Sequence, residues 1–88
     1  MNKYFIAGAV YDPEADEVLE GAKITLTNKA TGAASTLMSD NFGDFWFERQ
    51  EPGVYSLKME MDGYAPAVMN DIDASKDINV GDIELRRA

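Results

Sequence analysis

Apolar residues in this chain recur at every second position almost from end to end, and clusters of Gly, Pro, Asn and Asp interrupt the alternation at short intervals. A period of two sends successive side chains to opposite faces of a strand, and no stretch carries the 3.6-residue stripe of a helix. The pattern predicts an all-β chain of about seven short strands, packed as a sandwich of two antiparallel sheets. At 88 residues it is read as one domain, 1–88, with a single modest core.

The first strand runs from about Tyr4 to Tyr11, with Ile6 and Val10 on one face and Gly8 between them, where another backbone is expected to come close. Asp12 to Gly21 reads as a charged connection with Leu19 plugging back into the core. Ala22, Ile24 and Leu26 then point inward, Thr31-Gly32 turns the chain, and a strand over about Ala34 to Ser39 pairs back. The stretch Asp44-Phe-Trp-Phe-Glu48 lies on the next strand, Gly43 to about Arg49. Alternation gives Phe45 and Phe47 to the core and sends Asp44, Trp46 and Glu48 to the other side. Pro52-Gly53 fits a type II turn, and Asp62-Gly63 a turn of the I′ kind. Between them Tyr55, Leu57, Met59 and Met61 face inward. Pro66 marks Ala65 to Met69 as an edge. Ile78 and Val80 share one parity and Ile83 and Leu85 the other, so a bulge is expected at Gly81 or Asp82.

Composition removes whole classes of function. Sixteen acidic against eight basic side chains leave a net charge of −8, which repels phosphate backbones and anionic lipid surfaces. No nucleic-acid or membrane partner is expected. No apolar run is long enough to span a bilayer, the first residues lack the pattern of a secretory signal, and the chain is expected to be soluble. The absence of cysteine excludes disulfides, thiolate metal sites and iron-sulfur ligation, and the absence of histidine removes the commonest proton shuttle. The chain is read as carrying no cofactor and no catalysis. Compartment is not encoded here.

Gly8-Ala-Val-Tyr-Asp12, Glu20-Gly-Ala-Lys-Ile-Thr-Leu26, Ser39-Asp-Asn-Phe-Gly-Asp-Phe-Trp-Phe47, Pro52-Gly-Val-Tyr-Ser-Leu57 and Gly63-Tyr64 together resemble the carboxypeptidase regulatory-like domain. That resemblance implies a prealbumin-like Greek-key sandwich that is non-catalytic even when attached to an enzyme. A narrower likeness, through Val10 to Glu17, Asn41 to Phe47 and Asn79 to Leu85, is to the carboxyl-terminal sandwich of iron-sulfur subunits in molybdopterin oxidoreductases of the transhydroxylase-like group. It implies an accessory domain that docks a molybdopterin catalytic subunit or an upstream ferredoxin-like domain. Strands close to both ends of the chain suit a domain cut from a longer one. The alternative is a surface or adhesion-type spacer or ligand-binding module, stabilised by calcium in one version.

Trp46, flanked by Asp44 and Glu48, is the candidate partner contact, because an outward tryptophan leaves a large apolar surface wet. The competing reading has Trp46 cover its own sheet or the loop at 12–20. Asp71, Asp73, Asp77 and Asp82 fall at calcium-loop spacing, but Lys76 stands where that loop needs glycine and the flanks are not helical. The expectation there is a solvated acidic connection. Asp12, Glu14, Asp16 and Glu17 read as a second acidic patch, favouring solubility or steering of a basic partner. Asp40 and Asp44 read as turn residues, and the scattered methionines as core filler.

Overall fold

The structure, a computed structural model, describes residues 2–88. Eight strands follow in order: β1 (Tyr4–Asp12), β2 (Glu17–Val18), β3 (Lys23–Asn28), β4 (Ala34–Met38), β5 (Asp44–Gln50), β6 (Gly53–Glu60), β7 (Ala67–Ala74) and β8 (Ile78–Glu84). The one beyond the expected seven is β2, a two-residue strand inside the charged connection. Two four-stranded sheets face each other. In the first, β1 pairs with β5 and β2 along one side and with β8 along the other; the second runs β4-β3-β6-β7. All pairs are antiparallel except β1 with β8, which run parallel because the chain crosses from the second sheet to reach β8. No helix occurs among the described residues.

Alternation builds the core. Ile6, Val10, Phe45, Phe47 and Ile83 from the first sheet meet Ile24, Leu26, Tyr55, Leu57, Met59 and Ile72 from the second, all buried. Each such side chain contributes about 1.5–3 kcal/mol of transfer free energy, so the two apolar faces hold the sheets together. Phe45 and Phe47 pack edge to face with centroids 6.2 Å apart. Leu19 is buried as the plug from the charged connection. Buried Ser39 ties that plug down: its hydroxyl donates to the Leu19 carbonyl at 2.6 Å and accepts from the Ala22 N–H at 2.9 Å.

Each of three strands carries one residue more than its partner. Tyr4 and Ile6 of β1 pair with Gln50 and Phe47, Tyr55 and Leu57 of β6 with Ile72 and Met69, and Ala7 and Ala9 with Asn79 and Asp82. The bulges in β5, β7 and β8 contain Arg49 (φ +56°), Asp71 (φ +58°) and Gly81 (φ +81°) respectively. The parity change in β8 thus falls where the sequence places it.

Three local expectations are corrected. Gly8 makes room for side chains, not for a backbone: a Cβ there would lie 2.7 Å from the Phe45 ring and 2.7 Å from a Val80 methyl. The close backbone is at Gly43, whose Cβ would sit 2.7 Å from the Val10 carbonyl oxygen and whose φ is +78°. Gly53 lacks a positive φ, so Pro52-Gly53 is not the type II turn; the left-handed residue in that crossing is Arg49. At Asp62-Gly63 only Gly63 has a positive φ, with the Tyr64 N–H bonded to the Met61 carbonyl, which is the sign pattern of type II and not of I′.

Candidate docking face

The outer face of the first sheet carries the residues singled out in the sequence. Asp44, Trp46 and Glu48 of β5 are all exposed, Trp46 to 51%. Trp46 is partly covered by its own sheet, as its ring stacks on Phe5 of β1 at 4.2 Å between centroids and 24° between planes. Such a pair is worth about 0.5–1.5 kcal/mol beyond area burial, enough to fix the indole without hiding it. The indole thus covers part of its own sheet through Phe5 and leaves about half of its surface exposed.

Register explains the shape beside it. Across the sheet Trp46, Ala7 and Asn79 form one row, and Asp44, Ala9 and Asp82 the next. Two alanines on the central strand between longer side chains leave a depression of about 650 Å³, which reaches Leu37, Met38 and Asp40 at the end of β4. Every ionisable residue of its lining is acidic: Asp40, Asp44 and Asp82. Glu48 is not part of it. Asp40 is occupied locally, its Oδ1 accepting the Phe42 and Asp44 N–H groups at 2.9 Å each. Asp44 caps nothing with its side chain among the described residues, so of the two expected turn residues only Asp40 acts as one. An indole face, carboxylates and an amide can hold a cationic or hydrogen-bonding partner; the lining offers no nucleophile beside a base.

The calcium candidates do not converge. Asp71 and Asp73 lie on β7 in the second sheet and Asp82 on β8 in the first. Asp77, between them, accepts the Phe5 N–H at 3.0 Å. No three acidic side chains of the described residues are grouped to hold a metal ion. Residues 71–74 are strand, not a solvated connection.

Of the 12–17 patch, Glu14, Asp16 and Glu17 are exposed as read, but Asp12 is corrected. It is 1% exposed, and its carboxylate accepts five hydrogen bonds, more than any other side chain of the described residues. Oδ2 accepts from the Tyr64 hydroxyl at 2.6 Å and from Arg87 Nη2 and Nε at 3.0 and 3.1 Å; Oδ1 accepts the Glu14 and Ala15 N–H groups at 2.8 and 3.1 Å. The Tyr64 hydrogen bond, with the amides and Arg87 behind it, outweighs burial and holds the carboxyl down at about 2, while the same bond pushes the Tyr64 phenol up. Tyr64 and Arg87 also form a β-bridge, so Asp12 joins the end of β1, the turn after β6 and the carboxyl-terminal segment. Asp12 continues the inward parity of Ile6, Gly8 and Val10; extending the alternation by one step would have found it. Its partners at 64 and 87 leave no local signal.

Met38 is also corrected: it is 59% exposed, whereas Met59 is fully buried.

Two facing sheets around one apolar core, with no helix among the described residues, define a prealbumin-like β-sandwich. Residues 6–86 match the carboxypeptidase regulatory-like domain, and the chain belongs to that family. No curated protein matches the sequence. Among solved structures it is similar to a chain of a type II cohesin–X–dockerin complex from Acetivibrio cellulolyticus (TM-score 0.76, 14% identity, 96% of this chain and 58% of that one). It is similar too to the major pilin subunit of Bacillus cereus (0.71, 17%, 98% and 30%). A putative carbohydrate binding protein from Bacteroides uniformis (0.72, 19%, 97% and 42%) shares the fold. At these identities the likeness is one of fold, and this chain spans between 30% and 58% of those longer chains.

Proposed function

We propose that this chain is a non-catalytic sandwich module of a larger surface or assembly protein, and that it docks a neighbouring module or partner protein through the Trp46 face. The observation that carries this reading is the half-exposed indole, pinned by Phe5 at the rim of an acidic depression. A held aromatic beside a desolvatable hollow is the composition of an interface anchor, since it loses little side-chain entropy on binding. The folds it shares, in pilin and cohesin–X–dockerin chains, favour a spacer or docking role over an oxidoreductase accessory. The likeness to molybdopterin oxidoreductase subunits rests on sequence motifs alone, with no support from the family match or the structures named.

Trp46 is the only tryptophan, so its fluorescence reports on this face directly. Titration with the adjoining module of the parent chain should shift the emission to the blue, and Trp46→Ala should weaken binding about tenfold or more with the fold intact. Unchanged emission together with unchanged affinity would overturn the reading.

A further inference from the structure

Apart from the two-residue β2, four strands stand at the margins of the two sheets: β5 and β8 in the first, β4 and β7 in the second. An open margin is a template for another chain, and proteins blunt it with bulges, charges or proline. Three of these margins are blunted. The bulges of the molecule fall in β5, β7 and β8, each with a left-handed residue, and all three strands carry acidic side chains. β4 has none of these devices. Ala34-Ser-Thr-Leu-Met38 pairs with β3 in unbroken register from Thr27↔Ala34 to Lys23↔Met38, with no charge, proline or glycine.

The free groups of β4 follow from the ladder. The Asn28 N–H bonds the Ala33 carbonyl and the Ser39 N–H bonds the Ala22 carbonyl, both at 2.9 Å. In an antiparallel pair bonding alternates, so Ala33, Ser35, Leu37 and Ser39 face β3, and Ala34, Thr36 and Met38 turn their N–H and C=O outward. The surroundings select the partner. Met38 lies between two depressions, one lined by Asp40, Asp44 and Asp82, the other by Glu60 and Asp62, with Lys23 their only basic residue.

We propose that the β4 edge accepts an extended, basic segment of a partner protein as a fifth strand of the second sheet. Main-chain bonds to Ala34, Thr36 and Met38 supply affinity, and lysine or arginine side chains beside Met38 meet the five carboxylates. A second copy of this chain brings the same carboxylates and a net charge of −8, which disfavours self-pairing. This edge adjoins the Trp46 face and shares the depression of Asp40, Asp44 and Asp82 with it, but its strand-pairing bonds come from the β4 main chain: Trp46→Ala tests that face, and Thr36→Pro tests this edge.

The probe is a blocked peptide of alternating lysine and valine, about nine residues long, the length of a long strand. It is compared by calorimetry with its glutamate–valine counterpart and with versions N-methylated on all lysines or on all valines. Thr36→Pro deletes only an outward N–H and leaves the β3 ladder whole. The lysine peptide should bind, the glutamate peptide should not, and one methylation frame should lose at least about tenfold, as should Thr36→Pro. If Thr36→Pro does not fold, the methylated peptides decide alone. The proposal falls if the lysine peptide does not bind, if neither methylation frame matters, or if the glutamate peptide binds as well. It falls equally if the wild-type chain dimerises and Thr36→Pro makes it monomeric.

Discussion

Asp12 shows how far a single carboxylate can organise a small sandwich. A buried carboxylate is tolerated only when its lone pairs are filled, and five donors from three separate segments fill these. Its pKa of about 2 lies below the ordinary 3.8, so the folded state binds this proton less readily than the unfolded chain. The stability it gives is complete above the unfolded value and is lost as the pH falls through 3.8 towards 2. Asp12→Asn should lower the melting temperature by several degrees at neutral pH, and the gap from wild type should close over that acid window. A gap independent of pH would mean that the side chain acts by shape alone. Glu14→Gln is the control: Glu14 also meets Arg87, at 3.6 Å, but both side chains are largely exposed, and such pairs contribute little.

Strands and their interruptions divide by how local their causes are. Phe45-Trp46-Phe47 could be split correctly between core and surface because parity needs only adjacent residues. The β8 bulge was readable for the same reason, since Val80 and Ile83 cannot share a face without one. Nothing local marks the bulge in β5, where the left-handed position is filled by Arg49 and not by glycine. The crossing from β5 to β6 settles where the strain falls, and Pro52-Gly53 is a persuasive but false signal for it. An arginine in that conformation costs on the order of 1 kcal/mol or more relative to glycine. Arg49→Gly should therefore raise the melting temperature by about 4–8 °C if the full amount is recovered, and by less where glycine's greater unfolded freedom offsets it. Thermal unfolding of the two proteins checks the sign. A fall would show that the Arg49 side chain holds the bulge in place.

Taken together, the two sheets explain why acidic residues spaced like a cation loop in the sequence are spread apart in space. The run from Asp71 to Asp82 begins on the margin of the second sheet, crosses to the first, and ends beyond a bulge beside β1. A calcium loop needs its oxygens on one short arc about a single point, and a strand sends alternate carboxylates along a line instead. The same crossing uses Asp77 to accept the Phe5 N–H, which anchors the start of β1 next to the Phe5–Trp46 stack. The body these carboxylates are spread over measures 42 × 21 × 17 Å, and they add to its net charge of −8. Calcium at about 1 mM should leave the melting temperature unchanged relative to equal ionic strength of sodium chloride. A bound ion would raise it steadily with the logarithm of calcium concentration, and scanning calorimetry across that series separates the two outcomes.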